Sequence, residues 1–146
     1  MEDLLKKESV KRVNDFIKQF DSSLEIIILD KTARTAKDAA TALNCEVGAI
    51  VKSLVLRADN GFLICLVAGD KRCSLNKLKK LIRKKDVSMA DAEQVKSQTG
   101  FSIGGVAPVA HSNKLEVLID NSLGDSKMFL VQQGILIAFL KLVIVS

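Results

Sequence analysis

Residues Ala49-Ile50-Val51-Lys52-Ser53-Leu54-Val55-Leu56-Arg57 and Phe62-Leu63-Ile64-Cys65-Leu66-Val67-Ala68 are two β-rich runs separated by Ala58-Asp59-Asn60-Gly61. Asp, Asn and Gly tolerate the backbone angles of a tight turn, so the pair reads as a β-hairpin. Upstream, Val10, Val13, Phe16, Ile17 and Phe20 recur at helical spacing and predict an amphipathic helix over residues 3–20. Asp21-Ser22-Ser23 stops it, and Leu24–Leu29 reads as a strand. Thr35 is placed to cap a second helix over Ala36–Leu43 that ends near Asn44.

Downstream of the hairpin, Ser74 caps a third helix with Leu75, Leu78, Leu81 and Ile82 on its apolar face. A fourth spans Asp91–Gln98, with Gly100 just past its end. Ile103–Ala110 is a loop that holds paired glycines and the only proline of the chain. Leu115–Ile119, Met128–Val131 and the final apolar run add strands. The order is neither strict βαβ alternation nor all-β. It predicts an α+β fold, a compact single domain over residues 1–146 whose central mixed, mostly antiparallel β-sheet is flanked by helices.

With 146 residues, one core suffices. Apolar residues at 48% and charged residues at 27% exclude intrinsic disorder, and a single Pro with eight Gly excludes collagen-like repeats. Without Trp or Tyr, broad platforms for stacking exposed bases are not expected. Cys45, Cys65 and Cys73 cannot all pair and form no close CxxC, which suits a reducing, cytoplasmic setting. The N-terminus lacks the apolar stretch of a secretory signal. Gln132, Gln133 and Lys141 interrupt the apolar run of residues 128–145, leaving Gly134–Leu140 well short of a spanning helix; no membrane association is expected.

The net charge of +5 is concentrated in Lys71–Lys85, which carries eight Lys/Arg and no acid. On a helix, Lys77, Lys80 and Lys84 share a face away from the leucines, and with Lys71 and Arg72 they could neutralise phosphates without reading bases. A solvated helix surface would have the same pattern. Lys52 sits in an otherwise apolar strand, so its ammonium must reach water, a carboxylate or a bound anion. Gly104-Gly105-Val106-Ala107-Pro108 suits a loop whose backbone approaches a ligand and donates N–H groups to an oxyanion; an ordinary turn is the alternative. His111 is the sole histidine, and Asp120 closes a strand where it could cap a turn or face a cleft. No GxxxxGK[ST] and no strand-borne GxGxxG occurs, and one histidine with three scattered cysteines supplies no convincing metal site. Cys45 and Cys65 lie in apolar surroundings that suit burial rather than nucleophilic use.

Taken in order, Thr35–Leu43, Ile50-Val51-Lys52-Ser53-Leu54-Val55, Ala68-Gly69-Asp70, Thr99–Pro108, His111 and Leu115–Asp120 resemble the YbaK/prolyl-tRNA synthetase editing-domain family over about residues 31–134. The resemblance implies a free-standing aminoacyl-tRNA deacylase that needs no cofactor or metal. Its partners would be mischarged tRNA and a synthetase, and it would act as a monomer or homodimer. A non-catalytic module that binds the tRNA end or a synthetase is the alternative. By position, Lys52 matches the lysine that holds the phosphate and ribose of the terminal adenosine. Gly104, Gly105 and Pro108 belong to the GxxxP loop that positions the aminoacyl ester, with Ser102, Val106, Ala107, His111 and Asp120 as substrate-binding candidates. Catalysis would be substrate-assisted, by the ribose hydroxyl and a water. Asn44-Cys45-Glu46-Val47-Gly48 is similar to members that clear Ala-, Ser- or Thr-charged tRNA, and Cys-charged tRNA belongs with the same small substrates. Two departures stand out: Ala110 where the family often has glycine, and a tail, Ile135–Val145, that matches poorly and is expected to be truncated or divergent.

Overall fold

The computed structural model describes residues 8–20, 22, 25–28, 35–103, 106–120, 123, 128–132 and 135–138. Along these the elements are α1 (Glu8–Phe20), β1 (Glu25–Ile28), α2 (Ala36–Leu43), a 3₁₀ turn (Val47–Ala49), β2 (Ile50–Ala58), β3 (Gly61–Ala68), α3 (Leu75–Ile82), β4 (Val87–Met89), α4 (Ala92–Thr99), β5 (Glu116–Ile119), β6 (Met128–Gln132) and β7 (Ile135–Ala138). Residues 3–7, expected to begin the first helix, and the tail beyond Ala138 lie outside the described residues.

Local chemistry explains where these elements start and stop. Thr35 and Asp38 form a reciprocal capping box, as do Asp91 and Gln94, so backbone donors at the starts of α2 and α4 have partners. Ser74 caps α3 by accepting from the Lys77 N–H. Asn44 and Gly100 end α2 and α4 in the left-handed conformation. Arg83 does the same for α3 at φ 56°, so the helix ends at Ile82. Lys84 therefore lies beyond the helix instead of on a shared face with Lys77 and Lys80. Leu81, expected on the apolar face, is 75% exposed; Leu78 is the buried anchor of α3.

The hairpin forms in the expected register, with Ala58 opposite Gly61 and Val51 opposite Ala68. Around it runs a seven-stranded sheet in the order β1-β7-β6-β2-β3-β5, with β4 also pairing to β2. Four pairings are antiparallel, while β2–β6 and β3–β5 are parallel. The mixed, mostly antiparallel α+β architecture is thus the one present.

Both faces of the hairpin are covered. Val51, Val55, Ile64, Leu66 and Ala68 pack with Val13 and Ile17 of α1, Val95 of α4, and Phe101, Val106 and Ala107 of the following loop. Leu56, Ala58, Leu63, Cys65 and Val67 pack with Leu78 of α3 and Val87 on the opposite face. Ala39 and Ala40 of α2 close over Ile50.

One edge of β2 is left partly open. There β6 pairs only with Ile50 and Val51, and β4 only with Leu56, Arg57 and Ala58. The Val55 carbonyl accepts the Ala90 N–H on this edge at 3.0 Å, whereas the Ile50 carbonyl faces β3's side and accepts the Gly69 N–H. Strand alternation therefore turns the Ser53 backbone N–H and C=O toward the gap between β4 and β6.

Candidate active site

A cavity of about 310 Å³ occupies this gap, lined by Thr35 and Ala36 at the start of α2, Lys52–Val55 of β2, Met89 at the end of β4 and Ala90 after it, Val95 of α4, and Ile103 and Val106 of the loop. Its walls are mostly apolar, with polar groups from Thr35, Lys52 and Ser53, as is usual for a small-molecule site. The alternation of β2 explains the mixture. Ser53 shares a face with Val51 and Val55, toward the loop, and Lys52 shares a face with Leu54 and Leu56, toward α2 and α3. The cavity joins the two sides through the break in the sheet.

The Lys52 ammonium donates to the Lys71 carbonyl at 3.0 Å, which draws it toward the segment leading into α3. Lys71, Arg72, Lys77, Lys80 and Lys84 are all exposed. The first of them, Lys71, is the residue whose carbonyl the Lys52 ammonium meets.

The loop after α4 is anchored from beneath. Thr99 is fully buried; its hydroxyl donates to the Val95 carbonyl at 2.7 Å and accepts the Phe101 N–H at 3.0 Å. Phe101 is buried, with His111 edge-on to its ring at 6.1 Å between centroids. His111 Nε2 donates to the Ala107 carbonyl at 2.7 Å. Burial, more than any other influence, holds the imidazole below its usual pKa, opposed by that backbone contact and reinforced by the Arg12 charge.

The expected site residues fall into four groups. Lys52 and Val106 meet at the cavity. Ser102 is exposed; Ala107 and Pro108 are buried residues of the loop, and His111 is engaged with it, none of the four lining the cavity. Asp120 follows β5, across β3 from the open edge, with its N–H donated to the Leu66 carbonyl, and so stands away from the cavity. Gly104 and Gly105 lie outside the described residues.

Ser53 was not among the expected site residues. Its hydroxyl is buried without a hydrogen-bonding partner among the described residues, yet it belongs to the cavity lining. Such a group costs free energy unless it meets a water or ligand. The sequence signal was weak, a small polar residue beside a strand lysine.

A thiol nucleophile has no place in this cavity. Cys65 is pushed up to about 12, chiefly by burial and then by Cys73, whose Sγ lies 3.9 Å away. No cysteine lines the cavity. Among the described residues there is no group of three His, Cys, Asp or Glu that could hold a metal ion, and no helix long and apolar enough to cross a membrane.

Comparison with known proteins adds three findings. A family model described as an aminoacyl-tRNA editing domain matches residues 30–144. Proline–tRNA ligases of Thermosipho africanus and Caldicellulosiruptor saccharolyticus are each 35% identical over 98 residues, covering 67% of this chain but 17% of each ligase. A crystal structure described as a candidate trans-editing enzyme for prolyl tRNA synthetase superposes with a TM-score of 0.81 at 35% identity, covering 89% of this chain and 85% of that one.

Proposed function

The chain belongs to the aminoacyl-tRNA editing domain family, and from that premise we propose that it acts in trans as a deacylase, hydrolysing the ester between a wrong amino acid and the 3′ end of tRNA. The observation that carries this reading is the cavity at the break in the sheet, lined by Lys52 and Ser53 of one strand and by Ile103 and Val106 of the loop.

The two sides of β2 suggest how the substrate divides. The terminal phosphate and ribose lie on the α3 side, where the Lys52 ammonium exchanges its neutral acceptor, the Lys71 carbonyl, for an anionic oxygen that forms a stronger charge-assisted bond. The exposed lysines and arginine of residues 71–84 continue the contact along the tRNA backbone. The aminoacyl group passes into the cavity beside Ser53, with its carbonyl against the Gly104–Pro108 loop.

An aminoacyl ester is already activated, so the protein's task is to position it, admit water and stabilise the tetrahedral oxyanion. Water attacks the ester carbonyl, the bond to the ribose oxygen breaks, and that oxygen leaves as the hydroxyl of the tRNA terminus. Backbone N–H groups of the loop stabilise the oxyanion, and a ribose hydroxyl of the substrate directs the water. His111 supports the loop from behind instead of touching substrate, because its Nε2 proton is committed to the Ala107 carbonyl.

A cavity of about 310 Å³ with the hydroxyls of Thr35 and Ser53 among mostly apolar walls suits small amino acids of the Ala, Ser, Thr and Cys type. Discrimination among these by size alone is limited to about 1–3 kcal/mol per methylene. The test is a deacylation panel: purified protein with tRNA charged in turn with Ala, Ser, Thr and Cys. Release of at least one of them faster than in buffer is expected. Salt-sensitive binding of all four without hydrolysis would replace this reading with that of a non-catalytic tRNA-binding module.

A further inference from the structure

The residues matched by the editing-domain model begin at residue 30, after α1. Yet α1 reaches the loop that walls the cavity, through Val13 and Ile17 in the core and, as its polar contact, through Arg12. Arg12 Nη2 donates to the Thr99 carbonyl at 2.9 Å, and its guanidinium stacks over the Phe101 ring with Cζ 4.4 Å from the centroid. A Cβ added at Gly100 would come within 2.6 Å of Arg12 Nη1, so the backbone at the loop's first bend is shaped around this guanidinium. Phe101 is in ring contact with His111, and His111 donates to the Ala107 carbonyl, next to the cavity-lining Val106. Ile103, the other loop residue on the cavity wall, is two residues beyond Phe101.

We propose that Arg12 is a positioning residue: from α1 it sets the conformation of loop residues 101–103 and 106–110, and with it the wall against which the scissile ester is held. The proposal's effect on turnover rests on the deacylase reading above; its effect on the loop does not. A planar guanidinium suits the task because it can hydrogen-bond to a carbonyl in its own plane while stacking on a ring, which a lysine ammonium cannot reproduce. The stacked pair also sits over a fully buried residue, where a cation–π contact is worth more than at an exposed site.

The test uses the full chain and its Arg12→Ala and Arg12→Lys variants, read by amide hydrogen exchange and by hydrolysis of Ala-charged tRNA. In Arg12→Ala, amides of loop residues 101–103, 106, 107, 109 and 110 should exchange about tenfold faster or more, while those of the β2–β3 hairpin are unchanged. The value of kcat should fall about tenfold or more, with KM for tRNA within about twofold. Arg12→Lys keeps the charge and a donor but loses the planar stack, and should move both readouts in the same direction by a smaller factor. Unchanged loop exchange in Arg12→Ala, or faster exchange of loop and hairpin together, would overturn the proposal. If Arg12→Ala does not fold, Arg12→Lys decides by the same criterion. A wild-type protein that hydrolyses nothing would remove the deacylase reading and leave exchange as the measurement that upholds or overturns the role of Arg12.

Discussion

The Lys52 ammonium and the Lys71 carbonyl are joined by a 3.0 Å hydrogen bond that ties the strand at the cavity to the first residue of the basic segment. A neutral carbonyl is a modest partner for a full positive charge, so an anionic oxygen of the substrate competes with it favourably. Lys52→Ala removes one charge-assisted bond of about 1.5–3 kcal/mol. Turnover of mischarged tRNA should fall about 10- to 100-fold. Single-turnover hydrolysis checks this, and a change below twofold would remove Lys52 from the reaction.

The exposed lysines of α3 should contribute affinity without choosing the amino acid. Lys77→Ala together with Lys80→Ala is expected to weaken tRNA binding and reduce the salt slope of log Kd by about one per lost phosphate contact. Binding titrations across a salt series measure the slope. The preference among Ala-, Ser-, Thr- and Cys-charged tRNAs should stay as it was, because neither lysine lines the cavity.

Ala110 adopts φ 63°, the left-handed conformation that favours glycine. The sequence departure at this position therefore carries a local strain of about 1–2 kcal/mol. Ala110→Gly relieves it while adding freedom to the unfolded chain, and the net gain should be about 0.5–1 kcal/mol. Urea denaturation should show a higher midpoint with an unchanged slope.

His111 gives the fold a sensitivity to acid. Its pKa is held below the ordinary value, chiefly by burial, so the native state favours neutral imidazole. Above about pH 6.5 neither folded nor unfolded chain protonates it, and the full stability is present. As pH falls below that value the unfolded state binds the proton first, and stability declines down to the lowered native pKa. Thermal melts between pH 7.5 and 5 should show this decline, and His111→Gln should flatten it.

How far the sequence could be read depended on whether the signal was local. Thr35, Ser74, Asp91 and Gly100 cap or end helices through their own backbone chemistry, so α2, α3 and α4 were legible to within a residue or two. The hairpin turn at Asp59-Asn60 was equally legible, with Asp59 at φ 50°. β4 was not, because Val87-Ser88-Met89 is too short to show a period and exists only by pairing with β2. The end of α3 carries no sequence signal, because Arg83 takes a backbone position usually given to glycine. Lys52 stood out as a charge among aliphatics. Ser53 did not, since its significance comes from β4 and β6 stopping on either side of it. The same holds for His111: a lone histidine shows nothing of the Phe101 ring and Ala107 carbonyl that engage it.

The pairing of β1 with β7 has a consequence for biosynthesis. Glu25 lies opposite Ala138, and in the strand order β1 neighbours β7 alone. A ribosome therefore adds more than a hundred residues after β1 before that strand has its template, while the β2–β3 hairpin can zip as soon as it emerges. A nascent chain halted before Ile135 would carry β1 without its neighbour, a target for quality-control proteases.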